Sequence, residues 1–177
     1  PRMTFTFVSA ALVGGTADAV LEVKSADELA EAVNLLWAED LPFTMMGGGS
    51  NMLVSDDGVR GVVLLNRAKK ARFDPETATI WAESGANFGA LARQAATKAL
   101  SGLEWAAGIP GTVGGAVFGN AGAHDGDMAH NLIEAEVLTR QRLPYFVGIC
   151  AATAGARGLA MHLVVIPPGA ASEPHLH

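Results

Sequence analysis

The chain is poor in cysteine, in tyrosine and in positive charge, and it has no long uninterrupted apolar run. Cys150 alone cannot build an internal disulfide framework or a CxxC metal site, and it fits a reducing compartment, with the cytoplasm as the expected location. No stretch of about 18 residues is free of charge, His and Pro, so none reads as a bilayer-spanning helix. Twelve Lys and Arg stand against 18 Asp and Glu, a formal charge of −6. This balance lacks the footprint of a general nucleic-acid binder or of a binder of anionic membranes. A small anionic ligand is still allowed, because backbone N–H groups at helix starts hold it without Lys or Arg. The start, Pro1-Arg2-Met3-Thr4, does not read as the charged n-region, apolar h-region and small-residue cleavage site of a secretory signal in succession. With no initial Met and an ending on Pro174-His175-Leu176-His177, the expectation is a fragment of a longer protein.

What is present supports a folded core. Half of the 177 residues are hydrophobic and the mean hydropathy is +0.27, enough for one domain, or one domain plus a fragment. Val20 to Val23 reads as a strand, and Ser25-Ala26-Asp27-Glu28 is a capping-box signature opening a helix. Leu29, Val33, Leu36 and Trp37 form the apolar stripe of that helix. Phe43 to Met46 follows as a strand, which predicts a right-handed βαβ crossover with parallel strands. Val62 to Leu65 is a third strand. Ala71 to Asp74 and Thr79 to Ala82 flank Pro75-Glu76-Thr77 as a hairpin. Asn87 caps a helix whose Phe88, Leu91, Ala95 and Ala99 share a face. Pro110 is expected near the first position of a short helix, and Ile133 to Thr139 reads as a further strand.

The glycines are clustered. Gly47-Gly48-Gly49-Ser50-Asn51 follows a strand at the carboxyl end of a βαβ unit, where ligands of open α/β sheets sit. Such a loop turns sharply and offers successive N–H groups to an oxygen-rich group, although a plain tight turn has the same composition. It is not a Walker loop, since no Gly-Lys-Ser/Thr follows, and no GxGxxG occurs. The second cluster holds Gly108, Gly111, Gly114, Gly115, Gly119 and Gly122. Each Gly inside a helix costs roughly 1 kcal/mol against Ala. Close approach of a ligand or of another backbone explains that density, with tight packing on the sheet as the alternative. Two such clusters favour a phosphate-bearing ligand laid between them.

The run Leu41-Pro42-Phe43-Thr44-Met45-Met46-Gly47-Gly48-Gly49-Ser50-Asn51-Met52-Leu53-Val54, then Ser84-Gly85-Ala86, then Gly102 to Ala116 with its Gly-Ile-Pro-Gly-Thr-Val-Gly-Gly-Ala string, then Asn120-Ala121-Gly122-Ala123, resembles the FAD-binding domain of the UDP-N-acetylmuramate dehydrogenase (UDP-N-acetylenolpyruvoylglucosamine reductase) family, over residues 8 to 140. Gly14-Gly15 fits the family's early pair, whereas Leu12 stands where many members have Arg. The resemblance implies an α+β fold of the vanillyl-alcohol-oxidase or p-cresol-methylhydroxylase type, a βαβ layer plus an antiparallel-sheet layer, truncated here. It implies that NADPH reduces FAD, which passes hydride to UDP-N-acetylglucosamine enolpyruvate for peptidoglycan synthesis, with that UDP-sugar as substrate partner. By matching position, Gly47, Gly48, Gly49, Ser50, Asn51 and Met52 would hold the FAD pyrophosphate. Gly108, Ile109, Pro110, Gly111, Thr112, Gly114 and Gly115 would form the other side. Ser84, Gly85 and Ala86 with Asn120, Ala121 and Gly122 would border the flavin.

The family's catalytic Arg, its Ser proton donor and its Glu have no counterpart here. Arg140, Arg142 and Arg157 lie in sequence that does not match, so no catalytic residue is assigned and the chain is expected to be inactive alone. Residues 141–177 form a second expected unit. Leu143 to Ala151 and Leu159 to Ile166 read as strands around the small-residue stretch 152–158, and the segment through Pro167-Pro168-Gly169 resembles the start of a cupin. His175 and His177 fit the opening of that family's metal motif, but two ligands alone make a weak site and a terminal His-x-His reads as an unused tail, so no metal residue is assigned. His124, Asp125 and Asp127 around Gly126 read as a polar loop, Trp37 and Trp105 as core, Trp81 as a strand residue able to pack on either face, and Cys150 as a packing residue. Two other functions stay open at this point: a metal-binding cupin fragment, and a glycine-rich α/β module without cofactor.

Overall fold

The computed structural model describes residues 14–138, 144–146 and 159–160. Its first layer is a parallel sheet of β1 (Ala17–Val23), β2 (Phe43–Met46) and β3 (Val59–Asn66), with α1 (Ala26–Ala38) packed on it. The strand order is β1-β3-β2. The expected parallel relation of β1 and β2 is present, but β3 is inserted between them and pairs with both.

β3 is the apolar centre because its side chains alternate between two cores. Leu64 meets Val23, Leu29, Val33, Leu36 and Trp37 under α1, while Val63 and Leu65 meet Ala17, Met46 and Val54 on the other face. A strand covered on both sides needs a continuous apolar run, which Val62-Val63-Leu64-Leu65 supplies. Burying each such side chain contributes about 1.5–3 kcal/mol. Ser25 caps α1 as expected, its hydroxyl accepting from the Glu28 N–H at 3.2 Å. The Glu28 carboxylate reaches back one residue further than a standard capping box, to the Lys24 N–H at 2.7 Å.

The second layer starts with the antiparallel hairpin of β4 (Ala71–Asp74) and β5 (Thr79–Ala82), followed by α2 (Phe88–Thr97), a 3-10 turn at Glu104–Ala106, and α3 (Val113–Phe118). Ile80, Phe88, Leu91, Ala95, Leu103, Trp105, Val113 and Met128 share its core, with the Phe88 and Trp105 rings edge to face at 5.5 Å. Trp37 and Trp105 are both buried, as expected of them, and the Arg72 guanidinium lies over the Trp81 ring. At the hairpin turn the Asp74 carboxyl is held below the ordinary carboxylate range, first by a bond from the Thr77 side chain and then by the Glu76 N–H. The short pair β6 (Gly122–Ala123) and β7 (Gly126–Asp127), α4 (Met128–Asn131), β8 (Leu132–Glu134) and β9 (Glu136–Leu138) complete this layer.

Four local expectations change. Ala99 is not on the α2 face: the helix ends at Thr97 and Ala99 has φ +58°, while the Leu100 N–H closes the end on the Ala95 carbonyl at 3.0 Å. Pro110 is not in the first turn of α3, because Thr112 is the N-cap and Pro110 precedes it by two positions. The strand expected over 133–139 is interrupted at Ala135, which is buried in the core between β8 and β9, and Thr139 lies outside the described residues. Of the strands expected at 143–151 and 159–166, the described parts are β10 (Pro144–Phe146), antiparallel to β9, and β11 (Leu159–Ala160), parallel to β8. The rest of the cupin-like segment, with Cys150, His175 and His177, lies outside the described residues.

Candidate functional site

The carboxyl end of β2 leads to the glycine-rich start of α3. β2 runs directly into Gly47–Asn51, and this loop meets the second glycine cluster backbone to backbone. A Cβ on Gly48 would lie 3.5 Å from the Gly111 Cα, and one on Gly47 would lie 2.5 Å from the Thr112 hydroxyl. Gly111 has φ +110°, and a Cβ there would come within 2.5 Å of the Ser50 hydroxyl. The two clusters therefore share one place in the fold, and part of their glycine content is required by their own contact.

Their hydrogen bonding leaves donors over. The N–H groups of Gly47, Gly48, Gly49, Ser50 and Asn51 make no hydrogen bond to the described residues, nor do those of Gly108, Gly111 and Thr112. Backbone donors without a protein acceptor need water or a ligand. The start of α3 behaves differently. The Val113 N–H donates to the Ala86 carbonyl at 2.9 Å, Gly114 to Ser84 at 2.8 Å, and Gly115 to the Thr112 hydroxyl at 3.4 Å. The first turn of α3 thus offers no free donors, and Gly114 and Gly115 contribute none to a ligand. Gly108 is the opposite case: a Cβ there would meet nothing within 4 Å, so packing among the described residues does not account for the glycine.

Ser84, Gly85 and Ala86 are a brace. The Ser84 and Ala86 carbonyls seat α3, and the buried Ser84 hydroxyl accepts from the Asn66 amide at 2.7 Å. The other end of the Asn66 side chain accepts the Ala68 N–H at 3.0 Å. Glu83, only 3% exposed, accepts the Ala26 N–H at the start of α1 at 3.1 Å and the Lys70 N–H at 2.7 Å, tying the two layers together. A carboxylate at a helix N-terminus is favoured by the helix dipole. Sequence reasoning passed over Asn66 and Glu83. No periodicity marks them, since Asn66 is the last residue of β3 and Glu83 the first after β5, and the only signal was a charged residue directly before Ser84.

Asn120, Ala121 and Gly122 stand at the other end of α3 from Gly111. The Asn120 side chain accepts the Ala129 N–H at 2.9 Å, and Gly122 pairs with Asp127. His124 and Asp125 are exposed in the turn of the β6–β7 pair, with φ +49° and +63°. Asp127 caps α4. The His130 ring beside it at 2.7 Å, and then the His130 N–H, hold its carboxyl below the ordinary range. Among the described residues no group of three or more His, Cys, Asp or Glu side chains is arranged to hold a metal, and no helix is long and apolar enough to cross a membrane.

Comparison with known proteins gives this geometry a setting. The chain is 48% identical over 127 residues to the UDP-N-acetylenolpyruvoylglucosamine reductase of Synechococcus sp. (strain RCC307), covering 71% of this chain and 42% of that protein. The reductase of Rubrobacter xylanophilus is 44% identical over 131 residues, covering 74% and 44%. The chain spans less than half the length of these relatives. Among solved structures, UDP-N-acetylenolpyruvylglucosamine reductase from Thermus caldophilus superposes with a TM-score of 0.66 at 29% identity, covering 84% of this chain and 52% of that one. The family described as FAD binding domain matches residues 17–141, which takes in both layers and both glycine loops, and the chain belongs to that family.

Proposed function

We propose that the two facing glycine loops hold the pyrophosphate of FAD, and that the chain is the FAD-binding portion of a reductase of the UDP-N-acetylmuramate dehydrogenase type. The observation that carries the reading is the set of N–H groups on Gly47 to Asn51 that have no acceptor among the described residues, in a loop that meets Gly111 and Thr112, whose N–H groups also have none. Pyrophosphate oxygens are acceptors without donors of their own, so a concave row of N–H groups suits them. Met52, Ile109 and Pro110 border the same loops. Residues 84–86 and 120–122 are assigned to the flavin half by their match to the family's motif, the first of them acting also through its brace on α3. Bound there, the flavin supplies hydride transfer.

On this reading residues 1–140 are the flavin unit, with the two-layer topology of the vanillyl-alcohol-oxidase type, acting in the cytoplasm. NADPH is the hydride donor and UDP-N-acetylglucosamine enolpyruvate the acceptor of the longer enzyme. Cofactor retention and turnover are then separable: residues 1–177 hold FAD but do not oxidise NADPH in the presence of the enolpyruvyl sugar. The test is visible flavin absorbance in the purified protein, or uptake of added FAD after stripping. Protein that is colourless and takes up no FAD overturns the reading. Enolpyruvyl-sugar-dependent consumption of NADPH overturns the claim of inactivity.

A further inference from the structure

The glycine loop has donors but no charge of its own, and the chain as a whole carries −6. One segment runs against that average: Arg67, Lys69, Lys70 and Arg72 follow β3, the central strand, where it leaves the sheet at the same edge as the loop. Arg67 is held in place there. Its N–H donates to the Val23 carbonyl at the end of β1 at 2.7 Å, and its guanidinium Nη1 reaches to the other side, to the Gly47 carbonyl at 3.4 Å. No other Lys or Arg among the described residues has a hydrogen bond to residues 47–51. The guanidinium Nε stands 3.9 Å from the Glu22 carboxylate, which also lies 3.5 Å from Lys24. Both members of the Arg67–Glu22 pair are partly exposed, at 42% and 46% of their side-chain surface. An ion pair of that kind is weak and exchangeable.

We propose that Arg67 supplies the positive charge of the glycine-loop site, binding the ligand's diphosphate, and that Glu22 competes with the phosphate oxygens for it. The inference rests on the reading of the loop as a diphosphate site. Two of the five guanidinium donors are directed at Gly47 and Glu22, which leaves three. A charge-assisted bond to a phosphate is stronger than one from a neutral N–H, so one guanidinium changes the affinity of a site otherwise built from dipoles.

The test measures FAD affinity by titration of the full chain at low and at high salt, for the parent, Arg67→Gln, Glu22→Gln and the double variant, with thermal unfolding as a fold control. Arg67→Gln is expected to weaken FAD about tenfold at low salt, with the deficit shrinking near 1 M salt, where the Debye length falls to about 3 Å. Glu22→Gln is expected to tighten FAD by roughly twofold to threefold, within the range of exposed ion pairs, and to change nothing once Arg67 is Gln. Arg67→Lys should recover part of the loss, because it restores charge without the planar fork. A parent that takes up no FAD overturns the loop reading itself, and this inference with it. A parent that binds while Arg67→Gln binds equally well overturns the inference alone. A salt-independent loss in Arg67→Gln, with no tightening in Glu22→Gln, also overturns it, and assigns Arg67 to holding the loop through the Gly47 carbonyl.

Discussion

The two glycine clusters are alike in composition and differ in what their N–H groups do. Residues 47–51 extend from a strand, and none of their N–H groups has an acceptor among the described residues. Residues 113–115 begin a helix, and Ala86, Ser84 and Thr112 take all three of theirs. Of the glycines between the two, Gly108 is exposed with no described residue within 4 Å of a Cβ, and Gly111 lies against Ser50. Glycine density therefore does not by itself mark a row of free donors. What separates them is whether the N–H groups already have partners.

The largest effect expected from attacking this arrangement is at the contact itself. Gly111→Val places a side chain at φ +110° and against the Ser50 hydroxyl, so FAD uptake should vanish and stability should fall by about 3 kcal/mol or more. Flavin absorbance together with a denaturant melt checks both halves, and a variant that binds FAD like the parent would remove Gly111 from the site. Gly108→Val is the sharper probe because no described residue lies within 4 Å of a Cβ at that position. Stability should stay within about 0.5 kcal/mol while FAD binds on the order of tenfold more weakly, which a fluorescence titration reads. Unchanged affinity there would confine the cofactor to the 47–51 side.

Thr112→Ala removes the cap of α3 and should cost about 1 kcal/mol, measured as a shift of the urea midpoint. A smaller effect lies beyond the far end of α3. The Asp127 carboxyl is held low by the His130 ring and N–H. Its folded value lies below its unfolded one, so its contribution is complete above the ordinary carboxylate range and is lost as pH falls through the folded value. Asp127→Ala should therefore lower stability by about 1 kcal/mol or less at neutral pH, and the difference from the parent should close in acid. A difference that grew on acidification would refute the assignment.

Much of the local structure was legible in the residue pattern. Ser25 and Asn87 mark the two longer helices, and both caps form. The Leu29-Val33-Leu36-Trp37 stripe is buried, and the hairpin around Pro75 is in register from Ala71 with Ala82 to Asp74 with Thr79. Caps and stripes are legible because they are satisfied within a few residues of themselves. Ala99 falls two residues past the end of α2 and Pro110 three before the first residue of α3, because the path of the chain outside a helix decides which end residues keep helical geometry.

The sequence by itself determined that two glycine clusters exist, that one follows a strand and the other opens a helix, and that both lie in motifs of a flavin-binding family. Only the tertiary structure decided that they meet, that β3 runs between β1 and β2, and that Ser84 and Ala86 occupy the first N–H groups of α3. It also decided that Glu83 and Asn66 are buried joints between the layers and that Arg67 lies beside Gly47. The physical reason is that hydrophobic period and capping act over a few neighbouring residues, whereas the partner of a given N–H, carboxylate or guanidinium is set by segments far away in the chain.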